Sequence, residues 1–426
     1  MAFGSYDNDD VKVKGDNGTD EGQLIGTVGD ALKTTAEFTD QSIQDAFGRL
    51  RVSLPTIKFD TYFVENERTL TMTKKEATGG TVVRNATRKE MELNVTTSNT
   101  SRAAYQSKEY IHYIPGQSTA MEISARFDSG TSGCVQRSGF FDDNNGIFFE
   151  LDGTSLYTVL RSNISGSVVD TRVLQSAWSL DKMDGTGLSG LTLDITKYQI
   201  FYIDYQWLGA GRVRFGLNIG GKANIVDERY HANLVTSAYM QSGSLPLRCE
   251  IVNKAVISST KTLRWLCGSV YNEGSLDTAV SQHSVNRGIN EVNVNSGAFT
   301  PLISLRLKAA NNRATIVPLD INLLSTSNTD IFWELALNSA LTAPSWVTAG
   351  SNSIAEYSIS STASTGGEVI TSGYVSKQSN ISPRIEQQSI KLVADFDGTV
   401  DILTLRAKTL YSNANLLASM SFLELF

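Results

Sequence analysis

Three cysteines, three histidines and seven prolines are spread over 426 residues, and each scarcity removes a class of protein. Cys134, Cys249 and Cys267 are too few and too scattered for a disulfide framework or a zinc site. They read as buried thiols of a protein assembled in a reducing cytoplasm. His112, His231 and His283 share no metal-ligand spacing. No apolar run is long enough to span a membrane as a helix, so no membrane insertion is expected. Met1 to Gly15 is acidic and polar and lacks the apolar core of a signal peptide. Lys/Arg-rich blocks are missing, and the net charge of −7 argues against a nucleic-acid partner. Amphipathic helical runs are also scarce.

What remains is a chain rich in Ser, Thr and Asn, with 34 glycines to punctuate it. Phe201, Ile203, Tyr205 and Trp207 alternate with polar residues. After Gly209-Ala210-Gly211 the alternation resumes at Val213, Phe215, Leu217 and Ile219. That pattern predicts an antiparallel hairpin over a core, with Leu208 opposite Arg212 and Trp207 beside Val213. In that register Tyr205 lies beside Phe215, and Gln206 faces Arg214 across a polar outer face. Ile147 to Leu151 and Leu156 to Leu160 predict a second hairpin around Asp152-Gly153. Similar alternation recurs at Leu302–Leu307, Ile316–Leu324 and Ile331–Leu337.

The length favours more than one core. The fold class expected is all-β: two β-sandwich or jelly-roll-like domains behind an extended N-terminal arm. The boundaries are an arm at 1–54, a sandwich at 55–275, a linker at 276–296 and a C-terminal β domain at 297–426. A short helix is expected between Leu24 and Phe38.

Several motifs suggest chemistry, and each has a plainer reading. Gly185-Thr186-Gly187-Leu188-Ser189-Gly190 spells a dinucleotide fingerprint but lacks the strand before it and the helix after it. Asp395-Phe396-Asp397-Gly398-Thr399 follows an apolar strand as in haloacid-dehalogenase-like phosphatases. Too little chain follows to build that sheet, so a hairpin turn is expected. Phe141 to Gly146 fails the EF-hand pattern, which leaves a turn, or a non-EF calcium site using Asp142, Asp143 and Asn145. No serine–histidine pairing stands out, and carboxylate pairs for glycoside hydrolysis are unreadable at this stage.

Ser42–Ser53 (SIQDAFGRLRVS), Gly139–Glu150 (GFFDDNNGIFFE) and Gln175–Lys197 (QSAWSLDKMDGTGLSGLTLDITK) resemble, in order, one family of tailed-bacteriophage virion structural proteins. Gln199–Phe215 (QIFYIDYQWLGAGRVRF), Asn312–Pro318 (NRATIVP) and Trp333–Asn338 (WELALN) continue the resemblance. It spans Val28 to Gly373. It implies a virion component, folded in the host cytoplasm, that is not an enzyme and has no catalytic, cofactor or metal residues. The location it points to is a tail, as a sheath-like ring involved in host attachment. Partners implied are further copies of the chain, other tail or neck proteins and a host surface receptor. Head decoration of the capsid is an alternative, as is a capsule-degrading or carbohydrate-binding role. Within the arm, Phe47 and Leu50 are expected as apolar anchors on a partner and Arg49 and Arg51 as polar clamps.

Overall fold

The computed structural model describes residues 27–28, 31–32, 44–51, 54–274, 280–385 and 390–426. The chain divides into Met1–Ile43 and Gln44–Phe426. In the first unit Thr27–Val28 pairs antiparallel with Ala31–Leu32. At these residues the expected helix is corrected to strand; β-branched Thr27 and Val28 favour extended chain. The rest of residues 1–43, the greater part of the arm expected at 1–54, lies outside the described residues.

The second unit is all-β, with antiparallel sheets stacked as sandwich-like domains. The N-terminal sandwich has a seven-stranded sheet. Its order is Val169–Leu174, Ser155–Ser162, Gly146–Asp152, Cys134–Phe141, Leu247–Asn253, Arg102–Ser107 and Met72–Ala77. Facing it is an eight-stranded sheet that runs Lys222–Arg229, Val213–Ile219, Gln199–Tyr205, Thr119–Arg126, Lys261–Glu273, Glu90–Val95 and Thr81–Asn85. Pro55–Tyr62 pairs with the far half of Lys261–Glu273. Period-2 alternation sends Ile147, Phe149 and Leu151 from one sheet, and Phe201, Ile203 and Phe215 from the other, into a shared core. Phe149 packs against Phe201 at 5.1 Å and Phe215 at 5.6 Å between ring centroids.

The C-terminal sandwich stacks Ser281–Asn286, Ala414–Leu425, Thr315–Ser325 and Asn380–Ile381 on a six-stranded sheet. That sheet runs Val347–Thr348, Ala355–Ser358, Thr300–Leu307, Ile402–Thr409, Ile331–Leu337 and Glu368–Val375. Leu305, Leu335 and Leu405 meet Ile321, Met420 and Phe422 in a second core. Within the stretch read as a linker, Ser281–Asn286 and Val292–Val294 are strands on Ala414–Leu425.

The 201–219 hairpin keeps its expected faces but not its register. Tyr205 is opposite Val213, Ile203 opposite Phe215 and Phe201 opposite Leu217. The turn is wider than the three residues expected, because the chain at 231–243 ties it down. Tyr239 N–H donates to the Gly209 carbonyl, His231 Nδ1 to that of Gly211, and Trp207 Nε1 to that of Met240. Asp204, not Gln206, therefore faces Arg214. Cys134 and Cys249 are buried as expected, but Cys267 is exposed, on a strand whose register shifts just before it.

Because Phe149 joins both sheets, Phe149→Ala should lower unfolding free energy by about 3–5 kcal/mol, read from urea midpoints. A loss under about 1 kcal/mol would show that this ring does not tie the sheets together.

Candidate functional site

The residues expected to clamp a partner lie on this chain's own eight-stranded sheet. Asp45 organises a tight turn: its Oδ1 accepts from Phe47 N–H and Arg49 N–H, both at 2.9 Å. Gly48 takes the left-handed conformation at the bend, with φ 76°. Arg49 closes back on Asp45 at 2.7 Å and lies over the Phe47 ring at 4.4 Å. Leu50 is 46% exposed. Ala46 is buried, with its N–H on Ser118 Oγ, and Arg212 donates to the Asp45 and Ala46 carbonyls.

Arg51 is the deepest of the four. It reaches Asp204 at 2.9 Å, Glu273 at 2.9 Å and the Tyr202 hydroxyl. Asp204 is fully buried, and Arg214 binds it from the neighbouring strand, its Nε at 2.8 Å from Oδ1. Arg214 and Arg51 also donate to the Gln44 carbonyl. Burial, then the Asp204 charge, pushes the Tyr202 phenol well above its ordinary range, so it stays a neutral donor to Asp204 Oδ2. The four expected residues are thus not one partner-facing patch. Arg51 is consumed within the chain, Arg49 secures its own turn, and Phe47 and Leu50 lie toward the surface. Sequence reasoning missed Tyr202, Asp204, Arg212, Arg214 and Glu273. The signal available was a hairpin face crowded with long polar side chains and a motif whose second arginine, Arg51, has no acidic residue beside it in sequence.

The outer face of the seven-stranded sheet carries a second ionic layer. Arg137 lies between Glu150 at 2.6 Å and Glu250 at 3.3 Å. Arg102 and Arg248 converge on Asp143 at 2.8 and 2.7 Å, and Arg161 holds Asp170 at 2.8 Å. Burial raises Asp143, Asp170 and Glu250, but the arginines outweigh it and hold all three below the ordinary carboxylate range. A carboxylate kept ionised in this way has no proton to give a glycosidic oxygen.

Here the C-terminal sandwich docks. The Phe396 ring lies 4.4 Å from the Arg248 guanidinium, and its N–H donates to Thr73 Oγ1. Lys108 pairs with Asp395, Lys391 with Glu109, and Arg313 with Asp142. A cleft of about 390 Å³ beside this contact is lined by Thr69, Lys74, Lys75, Lys108, Asp395 and Asp397.

The 395–399 motif is a turn: Asp395 N–H donates to the Thr399 carbonyl, and Ala394 bridges Val400. In the 185–190 loop, Asp181 accepts from Met183 and Ser189 N–H, and a Cβ at Gly187 would sit 2.0 Å from Asp181 Oδ1. The chain after it runs to the strand Gln199–Tyr205 with no helix between. Around Asp142 and Asp143, backbone N–H groups, Tyr110 and arginines occupy the carboxylates. His283 lies 3.3 Å from Glu424, to which Ser353 also donates. The acid is in the middle, whereas a hydrolytic triad needs the histidine there.

No family model and no curated protein matches the chain. Among solved structures, a Bacillus licheniformis beta-glucanase aligns at 12% identity over 51% of this chain and 98% of its own, with a TM-score of 0.34. A beta-1,3-glucanase from Mycobacterium marinum aligns at 13% identity over 50% and 98%, also with 0.34. The Emp47p carbohydrate recognition domain gives 12%, 51%, 96% and 0.31. The expectation that this chain is not an enzyme is therefore withdrawn, since glycoside hydrolases stand among these matches. At such similarity no activity or ligand passes to this chain.

Asp204→Ala leaves two guanidinium groups without their buried carboxylate. It should cost about 3–5 kcal/mol, and amide exchange at 45–51 should rise before that of the core. Unchanged exchange there would show that Asp204 does not hold the segment. A second expectation concerns acid. A carboxyl whose pKa falls on folding contributes stability above its unfolded value, about pH 4. That stability is lost as pH falls through the lower folded value. Asp401, raised by burial, runs the other way, but the lowered groups outnumber it. Urea midpoints should therefore fall between about pH 5 and about pH 3; a rise would contradict the ionic layer as a stabilising element.

Proposed function

We propose that this chain is a structural component of a tailed-bacteriophage virion. In this reading it is a subunit of a tail-associated, sheath-like ring at the host-facing end, whose residues 1–43 engage neighbouring copies or other tail proteins. One observation supports it above the rest. The two most specific stretches of the resemblance, 42–53 and 199–215, meet in space through Gln44, Asp45 and Arg51 on one side and Tyr202, Asp204, Arg212 and Arg214 on the other. Shared residues spent on fixing where a segment leaves a domain fit an assembly role better than a pocket role.

Deleting residues 1–43 while keeping the clasp should leave a folded protein that is excluded from particles. Normal incorporation would refute the arm's role. Labelling the protein on intact virions should mark the tail; label across the capsid would support head decoration instead.

A further inference from the structure

On the outer face of the six-stranded sheet, adjacent strands present one rung of side chains. Phe299 precedes Thr300–Leu307, and the rung continues through Lys408, Phe332 and Tyr374. Register places Phe332 opposite both Lys408 and Tyr374. Ring centroids lie 5.9 Å apart for Phe299 and Phe332 and 5.2 Å apart for Phe332 and Tyr374, with planes turned by 50° and 43°. Lys408 Nζ stands 4.8 Å from the Phe299 centroid and 5.8 Å from that of Phe332. Ile331, Trp333 and Leu335 turn inward to the core, so Phe332 faces out, and Tyr374 is 66% exposed. In the next rung Arg406 is neutralised by Glu334 at 2.7 Å. Lys408 touches rings and forms no ion pair among the described residues.

We propose that this rung binds an acidic polysaccharide, with the rings stacking on the apolar faces of successive sugars and Lys408 pairing with a sugar carboxylate. Charge complementarity selects the occupant, because among the described residues the ammonium lacks a counter-charge where its arginine neighbour has one. The ring twist excludes a flat crystalline sugar surface and suits a single chain that turns as it runs. Tyrosine beside a cation is also the composition that concentrates binding energy at recognition surfaces. This site stands apart from the virion reading, and the failure of either leaves the other untouched.

The test is affinity electrophoresis of the purified full chain in gels containing hyaluronan, polygalacturonate or polysialic acid, with neutral dextran as comparison. An acidic polymer should retard the protein and dextran should not, with retardation weakening as salt rises. Tyr374→Ala and Lys408→Gln should each weaken binding by about ten-fold, while Lys408→Arg retains it; circular dichroism should confirm that the variants are folded. Absence of retardation in all three acidic polymers would overturn the proposal. So would equal retardation in dextran, or indifference to both substitutions. If the protein self-associates in sedimentation and Tyr374→Ala abolishes it, the occupant is a second copy and the glycan reading falls.

Discussion

Asp204 is a charge placed where no water reaches it. A lone carboxylate in such a position would be protonated or would unfold its surroundings, because desolvation costs several kcal/mol per ion. Here Arg214 reaches it from the next strand and Arg51 from 153 residues away, and the Tyr202 hydroxyl completes the shell. The guanidinium groups have further N–H bonds to satisfy, and the Gln44 carbonyl takes one from each. Hairpin, N-terminal segment and carboxylate therefore require one another. The contact closes a very long loop, so its entropy cost is met only once the sheet exists.

The seven-stranded sheet solves a related problem at a larger scale. Its outer face must receive the C-terminal sandwich, yet it carries arginines and carboxylates instead of an apolar surface. Phe148 lies under Arg137 and Arg161, and Phe396 is inserted over Arg102 and Arg248. Each guanidinium thus uses its edge for a carboxylate and its face for a ring, as a planar cation can. Such a layer adds less net stability than a greasy interface of the same area. It accepts one register and one partner, because a misplaced loop would leave buried charges unpaired.

The strands were legible because alternation is local. Phe201 to Ile219, Ile147 to Leu160 and Leu302 to Leu307 fall on the faces their periodicity dictates. Register was not, since the width of the 206–212 turn depends on hydrogen bonds from residues 231–243 that no local pattern encodes. The arginine motif at 49–51 was recognisable as a clamp, but while Arg49 pairs locally with Asp45, the counter-charges of Arg51 lie across the chain and its target could not be read. Cys267 misled for a similar reason: the register shift between Trp265 and Cys267 changes which residues face outward. The Phe299, Phe332, Tyr374 and Lys408 rung is invisible in sequence because its members come from separate strands and meet only through sheet order.

A β-sandwich leaves its outer faces to be assigned, since its fold is determined inside. Here those faces have diverged by the chemistry of the alternate residues alone. One receives residues 44–51, one receives the second sandwich, and one leaves an aromatic rung with a lysine that pairs with no carboxylate among the described residues. The first two are closed by paired charges and are therefore poor places for a new ligand, which would have to break buried ion pairs to enter. The third asks for no such exchange: Tyr374 is exposed, and among the described residues Lys408 pairs with no carboxylate. Recognition of an outside molecule costs least on a face that the chain has not already used to bind itself.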